Sequence, residues 1–184
     1  AASDVYKRQG LGNTLRITAV ALLLGLLIGV VVASVRASYD KNREMLALHG
    51  GFGYRLFGFF NWLCRVYLAI IRGTPVVVQL LIMYFVIFAW SRNAILVATL
   101  AFGINSGAYV AEIIRGGIMS VDNGQFEAGR SLGFNYVQTM LYIVIPQVFK
   151  SVLPALLNEF IALLKETSVA GYVLSLIHIS EPTR

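Results

Sequence analysis

Between Ile17 and Val35 the chain runs through ~19 consecutive uncharged residues, which as a helix cross ~30 Å of hydrocarbon. Within that run Gly25 and Gly29 are spaced as GxxxG, a pattern that lets a second helix approach closely. Composition agrees: 58% of residues are hydrophobic and 13% charged, against about 25% charged in soluble domains. Mean hydropathy is +0.74. The net charge of +6 sits in clusters between apolar runs, which points to membrane topology and not to nucleic acid. The interleaved aromatics and lysines of a single-strand binder are missing. One cysteine, Cys64, excludes an intrachain disulfide and a Cys-rich metal site.

Three further apolar runs follow, at Val76–Trp90, Ala94–Ile114 and Val152–Val173. They predict an all-α integral membrane bundle of four transmembrane helices. The link at 91–93 is too short for anything but an antiparallel helix pair, with Trp90 as an interfacial anchor. Residues 36–72 mix aromatics, glycines and spaced arginines, and predict an interfacial amphipathic helix leading into the second span. Arg36, Lys41, Arg43, Arg55, Arg65 and Arg72 in 36–72, and Arg115, Arg130 and Lys150 in 115–150, stand against Arg92 alone in the turn. The positive-inside rule then places both long loops in the cytoplasm and the N-terminus outside.

Residues 122–146 are the polar exception. Asp122 and Gln125 have capping-box spacing for a helix beginning near Asn123, and Gly133 falls where a left-handed C-cap belongs. Asn135 with Gln138 repeats the start signal, and Pro146 predicts a kink or a stop. Helix, hinge and helix would lie at the membrane surface, with the Glu127 carboxylate available to a soluble partner; an ordinary capped loop fits the spacing equally.

Other polar residues sit inside spans. Asn105, Ser106 and Gly107 interrupt the third, either as cavity-lining backbone or as a helix contact. Asn158, Glu159, Lys165 and Glu166 lie in or near the fourth, where ionisable groups need a partner or water. Asn158 and Lys165, seven apart, share a face and could line a solute path; Lys165 and Glu166 could instead snorkel to the interface. Glu112 and Arg115 have the spacing of a local ion pair. His49 has no ligand companions, and no nucleophile–base arrangement supports an enzyme.

The stretch EAGRSLGFNYVQTMLYIVIP at 127–146 resembles the EAA loop of the membrane-spanning subunits of bacterial ABC importers, E-A-A-x3-G-x9-I-x-L-P. Glu127, Ala128, Gly129, Gly133, Ile143, Ile145 and Pro146 fall on its positions, with Gly129 for alanine and Ile145 for leucine. RGTPVVVQL, NSGAYVAEIIRGGIMSV, GQFEAGRSLGFNYVQTM and LPALLNEFIALLKETS are similar to the histidine/glutamine permease branch. The resemblance implies a permease domain over 10–174 with four helices present of an expected five. It also implies a second permease subunit, as homo- or heterodimer, and a periplasmic solute-binding protein that delivers polar amino acids. ATP-binding subunits that carry the ATP and magnesium would grip the loop 122–146. Glu127, Ala128, Gly129, Gly133, Ile143 and Pro146 would form the coupling element, and Asn105, Asn158, Glu159 and Lys165 candidate lining of the path. No lysine follows a glycine, so a Walker A loop is absent and this subunit is expected to be no enzyme, with no cofactor of its own. A secondary transporter or channel that needs no ATPase is the alternative. Residues 1–9 and 175–184 resemble sequencing-adapter read-through and are expected to be non-native tails.

Overall fold

The computed structural model describes residues 2–48, 52–91 and 93–180, with side chains mainly over 14–169. His49 and Arg92 lie outside the described residues. Among the described residues the fold is helical throughout. In chain order it has α1 (Ala2–Leu48), α2 (Phe52–Gly73), α3 (Val76–Ile82) with a π turn (Met83–Ile87), α4 (Ala94–Ser120), α5 (Gly124–Ser131), α6 (Tyr136–Thr139) with a second π turn (Met140–Val144), and α7 (Ile145–Ser180). Four stretches are long and apolar enough to cross a membrane: Thr14–Lys41, Arg55–Gly73, Ala94–Ser120 and Tyr136–Val169.

The bundle is organised around α4, packed parallel to α1. Small residues make the fit. A Cβ placed on Gly103 would stand 2.5 Å from Leu24 Cδ2, and one on Gly107 would stand 2.9 Å from Ile28 Cγ2. One turn apart on both helices, these pairs fix the register. From α1, Gly25 meets Ser106 and Gly29 meets Val110 in the same seam, so the GxxxG pair serves close helix approach as its spacing suggests. In return α4 buries Ala98, Ala101, Ala108 and Ala111 almost completely. Asn105, Ser106 and Gly107 therefore do not interrupt the third span: α4 is continuous through them, and all three are buried in helix contacts.

The second crossing differs from the sequence reading. Residues 55–73, expected in an interfacial helix, form a span-length helix, whereas Val76–Ile87 is too short to cross alone. The chain from Phe57 to Leu80 passes from one end of the bundle to the other. Phe57 stacks near Tyr39, and Leu80 joins Ile17, Ala21, Ala98 and Leu163 at the opposite end. Thr74 and Pro75 break the helix midway, because proline lacks the N–H that would continue it. Gln79 repairs the break: its Nε2 donates to Ile71 O at 2.7 Å and to Thr74 O at 3.0 Å. Aromatics and arginines spread through 36–72 mask this span in the sequence; of those on α2, Arg72 pairs with Glu112, and Arg55 and Arg65 are exposed.

The last span also starts earlier than Val152. Capped at Asn135, α6 continues through the π turn into α7, so Pro146 does not stop it. The wider turn at Met140–Val144 precedes the proline and absorbs its missing hydrogen bond, and Gln147 Nε2 donates to the Ile143 carbonyl at 3.0 Å. Thr18 Oγ1 and Thr167 Oγ1, 2.7 Å apart and both buried, tie α1 to α7.

Candidate functional site

The segment between α4 and α7 folds as two short helices around a glycine. Asp122 Oδ1 accepts the Gly124 N–H at 2.8 Å, so the chain turns there and α5 begins at Gly124. The reciprocal Asp122–Gln125 cap does not form, because Gln125 instead accepts from Gln147 Nε2 at 3.2 Å. Gly133 takes the left-handed conformation expected of it, with φ +79°. Around it the Phe134 N–H donates to Gly129 O at 3.0 Å and the Gly133 N–H to Arg130 O at 2.9 Å, the paired bonds of a Schellman cap. Asn135 and Gln138 then form the expected capping box, both bonds at 2.9 Å.

One face of α5 is anchored. Gly129 is its buried residue, and a Cβ there would stand 2.5 Å from Thr139 Oγ1 and 2.7 Å from Thr139 Cγ2. Glycine in place of the pattern's alanine is thus matched to a threonine ten positions on. Phe126 stacks on Tyr136 with centroids 6.1 Å apart, and the Lys41 ammonium lies 3.7 Å from the Phe126 ring centre. The other face is open: Glu127, Ala128, Arg130 and Ser131 are exposed. Between α5 and the end of α1 lies an open cleft of about 800 Å³ lined by Asp40, Lys41, Asp122, Phe126, Glu127 and Arg130. Ile143 is half-buried in the second π turn, and Pro146 is exposed in the first turn of α7.

A chain of charges crosses the bundle just above this segment. Arg115 Nη1 donates to Asp40 Oδ2 at 2.9 Å, its Nε stands 3.7 Å from Glu112, and Glu112 meets Arg72 at 3.7 Å. The Glu112–Arg115 pair is where its spacing put it; its extension to α1 and α2 rests on residues far apart in sequence and had no local signal. The same holds for Lys41, Phe126 and Thr139.

Of the candidate path residues, Asn105 is buried and donates to Gln79 Oε1 at 3.1 Å. Glu159 is half-buried and accepts from Ser106 Oγ at 2.9 Å. Asn158 and Lys165 are exposed on α7. The structure therefore does not gather the four into one cluster: Asn105 and Glu159 are held by neighbouring helices, and the other two project from the bundle. Lys165 and Glu166 rim a pocket of about 200 Å³ whose walls include Val76, Val77, Leu80 and Phe102.

Comparison with known proteins fits this geometry. The chain is 36% identical over 168 residues to the arginine transport system permease protein ArtQ of Bacillus subtilis, covering 90% of this chain and 69% of that protein. It is 38% identical over 164 residues to the putative glutamine transport system permease protein GlnP of Rickettsia prowazekii, covering 88% and 67%. A solved structure described as an amino acid ABC transporter with histidines superposes with a TM-score of 0.72 at 37% identity, over 95% of this chain and 75% of its own. The inward-facing MetNI methionine ABC transporter shares the fold, with a TM-score of 0.69 at 17% identity over 90% and 73%. Residues 45–180 match the family described as binding-protein-dependent transport system inner membrane component. The chain belongs to that family: it is a multi-pass permease component of the inner membrane, a transport subunit whose ATPase is a separate chain.

Proposed function

We propose that the protein imports polar amino acids, and that α5 is the lever by which ATP-binding subunits drive it. The observation that carries this reading is the build of the segment: an eight-residue helix, pinned on one face by Gly129 and Thr139, ended by Gly133, with Glu127 and Ala128 free on the other. The arginine, glutamine and cystine systems named among its relatives support the substrate class. Lys41, Arg115 and Arg130 lie at the α5 end, so the positive-inside rule supports a cytoplasmic α5 and a periplasmic N-terminal side.

In this reading a groove in each ATP-binding subunit, which holds the ATP and magnesium, receives α5. A periplasmic binding protein supplies the solute, and a second permease copy or paralogue completes the path. Glu127, Ala128, Gly129, Gly133, Ile143 and Pro146 act together: the first two face the partner, Gly129 and Gly133 hold the angle, and Ile143 and Pro146 carry motion through the π turn into α7. Because α7 is sparsely covered within the subunit, its face bearing Asn158 and Lys165 is open to the central path, with Glu159 beside it and Asn105 behind. A partner-free channel would have no use for a helix whose outer face stays open.

The test is substrate-stimulated ATP hydrolysis in the reconstituted complex. Glu127→Lys should abolish stimulation while the complex still assembles in the membrane. Wild-type turnover in that variant removes the lever from the mechanism.

A further inference from the structure

The seam between α1 and α2 holds a buried cation that makes no ion pair among the described residues. Arg36 on α1 is 8% exposed and Asn61 on α2 is 4% exposed. Arg36 Nε and Asn61 Oδ1 both lack a hydrogen-bond partner among the described residues. Val32 packs with Cys64 and Tyr39 with Phe57, so the antiparallel register of α1 and α2 puts Arg36 and Asn61 at the same level of their seam, between those two contacts. Among the described residues the nearby carboxylates are engaged: Asp40, one turn along α1, is taken by Arg115, and Glu112 lies between Arg115 and Arg72. Three guanidinium groups thus meet two carboxylates, and Arg36 is the one in no ion pair among the described residues.

A buried guanidinium in apolar surroundings is strongly unfavourable unless an anion accompanies it. Water can bridge Nε–H to Oδ1 but brings no charge. A ligand that satisfies the seam must bring a negative acceptor for Arg36 and a donor for Asn61. The location narrows the source. Tyr39 and Phe57 pack one turn away, and the Lys41 end of the first span lies just beyond, so Arg36 sits near the depth of the lipid phosphates. Phe60 and Leu56, exposed on the flank of α2 next to the seam, offer a surface for acyl chains, which Phe59 and Leu63 extend around the helix.

We propose that this seam binds the phosphate of one anionic phospholipid, Arg36 donating to the phosphodiester and Asn61 accepting from a headgroup hydroxyl. Basic pockets between membrane helices bind lipid headgroups by the same chemistry. Phosphatidylglycerol supplies both parts. Phosphatidylcholine does not, since its quaternary ammonium cancels the charge and carries no donor.

The experiment is native mass spectrometry of the full-length protein, purified with its accompanying subunits, delipidated and titrated with phosphatidylglycerol, phosphatidylcholine or inorganic phosphate. One saturable phosphatidylglycerol per permease chain is expected. Arg36→Gln should weaken it by at least ~10-fold, the scale of one lost charge-assisted bond, and Arg36→Lys by less. Arg65→Gln, at an exposed arginine of α2, should leave retention unchanged. Asn61→Asp tests the site without emptying it: it supplies the counter-charge internally and should abolish lipid retention while the fold stays intact. Equal retention in Arg36→Gln or Asn61→Asp overturns the proposal. So does equal binding of phosphatidylcholine, or displacement of the lipid by millimolar inorganic phosphate, which would assign the seam to a soluble anion.

Discussion

Replacing Gly129 with alanine restores the residue found at this position in the EAA pattern, yet here it should damage the protein. The new methyl would stand 2.5 Å from Thr139 Oγ1 and 2.7 Å from Cγ2, closer than real Cβ contacts allow. Thr139 has little room to yield: it is 1% exposed and its hydroxyl donates to Asn135 O at 3.0 Å. Overpacking of this kind costs about 1–3 kcal/mol, and the better helix propensity of alanine returns about 1 kcal/mol, leaving a net loss of about 0–2 kcal/mol. Thr139→Ala removes both clashing atoms at the loss of one hydrogen bond, about 1 kcal/mol. The remaining approach, 3.1 Å to Thr139 Cβ, needs only a shift of a few tenths of an ångström. The double variant should therefore be more stable than the two single effects sum to, with a favourable coupling of about 1–2 kcal/mol. Apparent melting temperatures of the four proteins in detergent measure the cycle, at roughly 2–4 °C per kcal/mol for a chain of this size. Substrate-stimulated ATP hydrolysis, measured alongside, should fall in Gly129→Ala and recover in the double variant. Additive melting shifts, or a Gly129→Ala protein as active as wild type, would refute the matched pair.

Two further outcomes follow from the same packing. Gly133→Ala forces a side chain into φ +79° and should cost about 1–2 kcal/mol, with coupling lost more completely than thermal stability because the α5–α6 angle depends on that cap; hydrolysis and melting measured on one preparation separate the two. At the α1–α7 tie, Thr18→Val or Thr167→Val alone removes the inter-helix bond but leaves the other hydroxyl bonded to its own helix, at Leu163 O or Thr14 O, and should lower melting by the equivalent of about 1 kcal/mol, with the double valine no worse than either single variant.

The sequence carried the helices and their local caps because those signals are short-range. Gly133, the Asn135–Gln138 box and the Glu112–Arg115 pair were legible from spacings of a few residues. So was the existence of the third span, from its apolar run, although its expected break at Asn105–Gly107 is absent because those residues pack on neighbouring helices. Periodicity failed where apolar surface and charge coexist: Arg65 and Arg72 disguised α2, and the run Val76–Trp90, read as a span of its own, only completes the crossing that α2 begins. Pro146 misled in the opposite sense, since a π turn let the helix run through it. Nothing local could reveal that Gly129 answers Thr139, that Lys41 covers Phe126, or that Asp40 turns to Arg115 and leaves Arg36 without an ion pair among the described residues. The first is made by α5 folding back on α6, and the others by the parallel packing of α1 on α4, which brings residues 40 and 115 together and sets the end of the span over α5.

The most direct test concerns what α5 touches. A photo-reactive amino acid at Ala128, on the open face of α5, is activated in the assembled complex with and without ATP, and the cross-linked species are identified by mass. A cross-link to the ATP-binding subunit whose yield changes with nucleotide is expected. Cross-links confined to lipid, or to the permease itself, would show that this helix faces no motor.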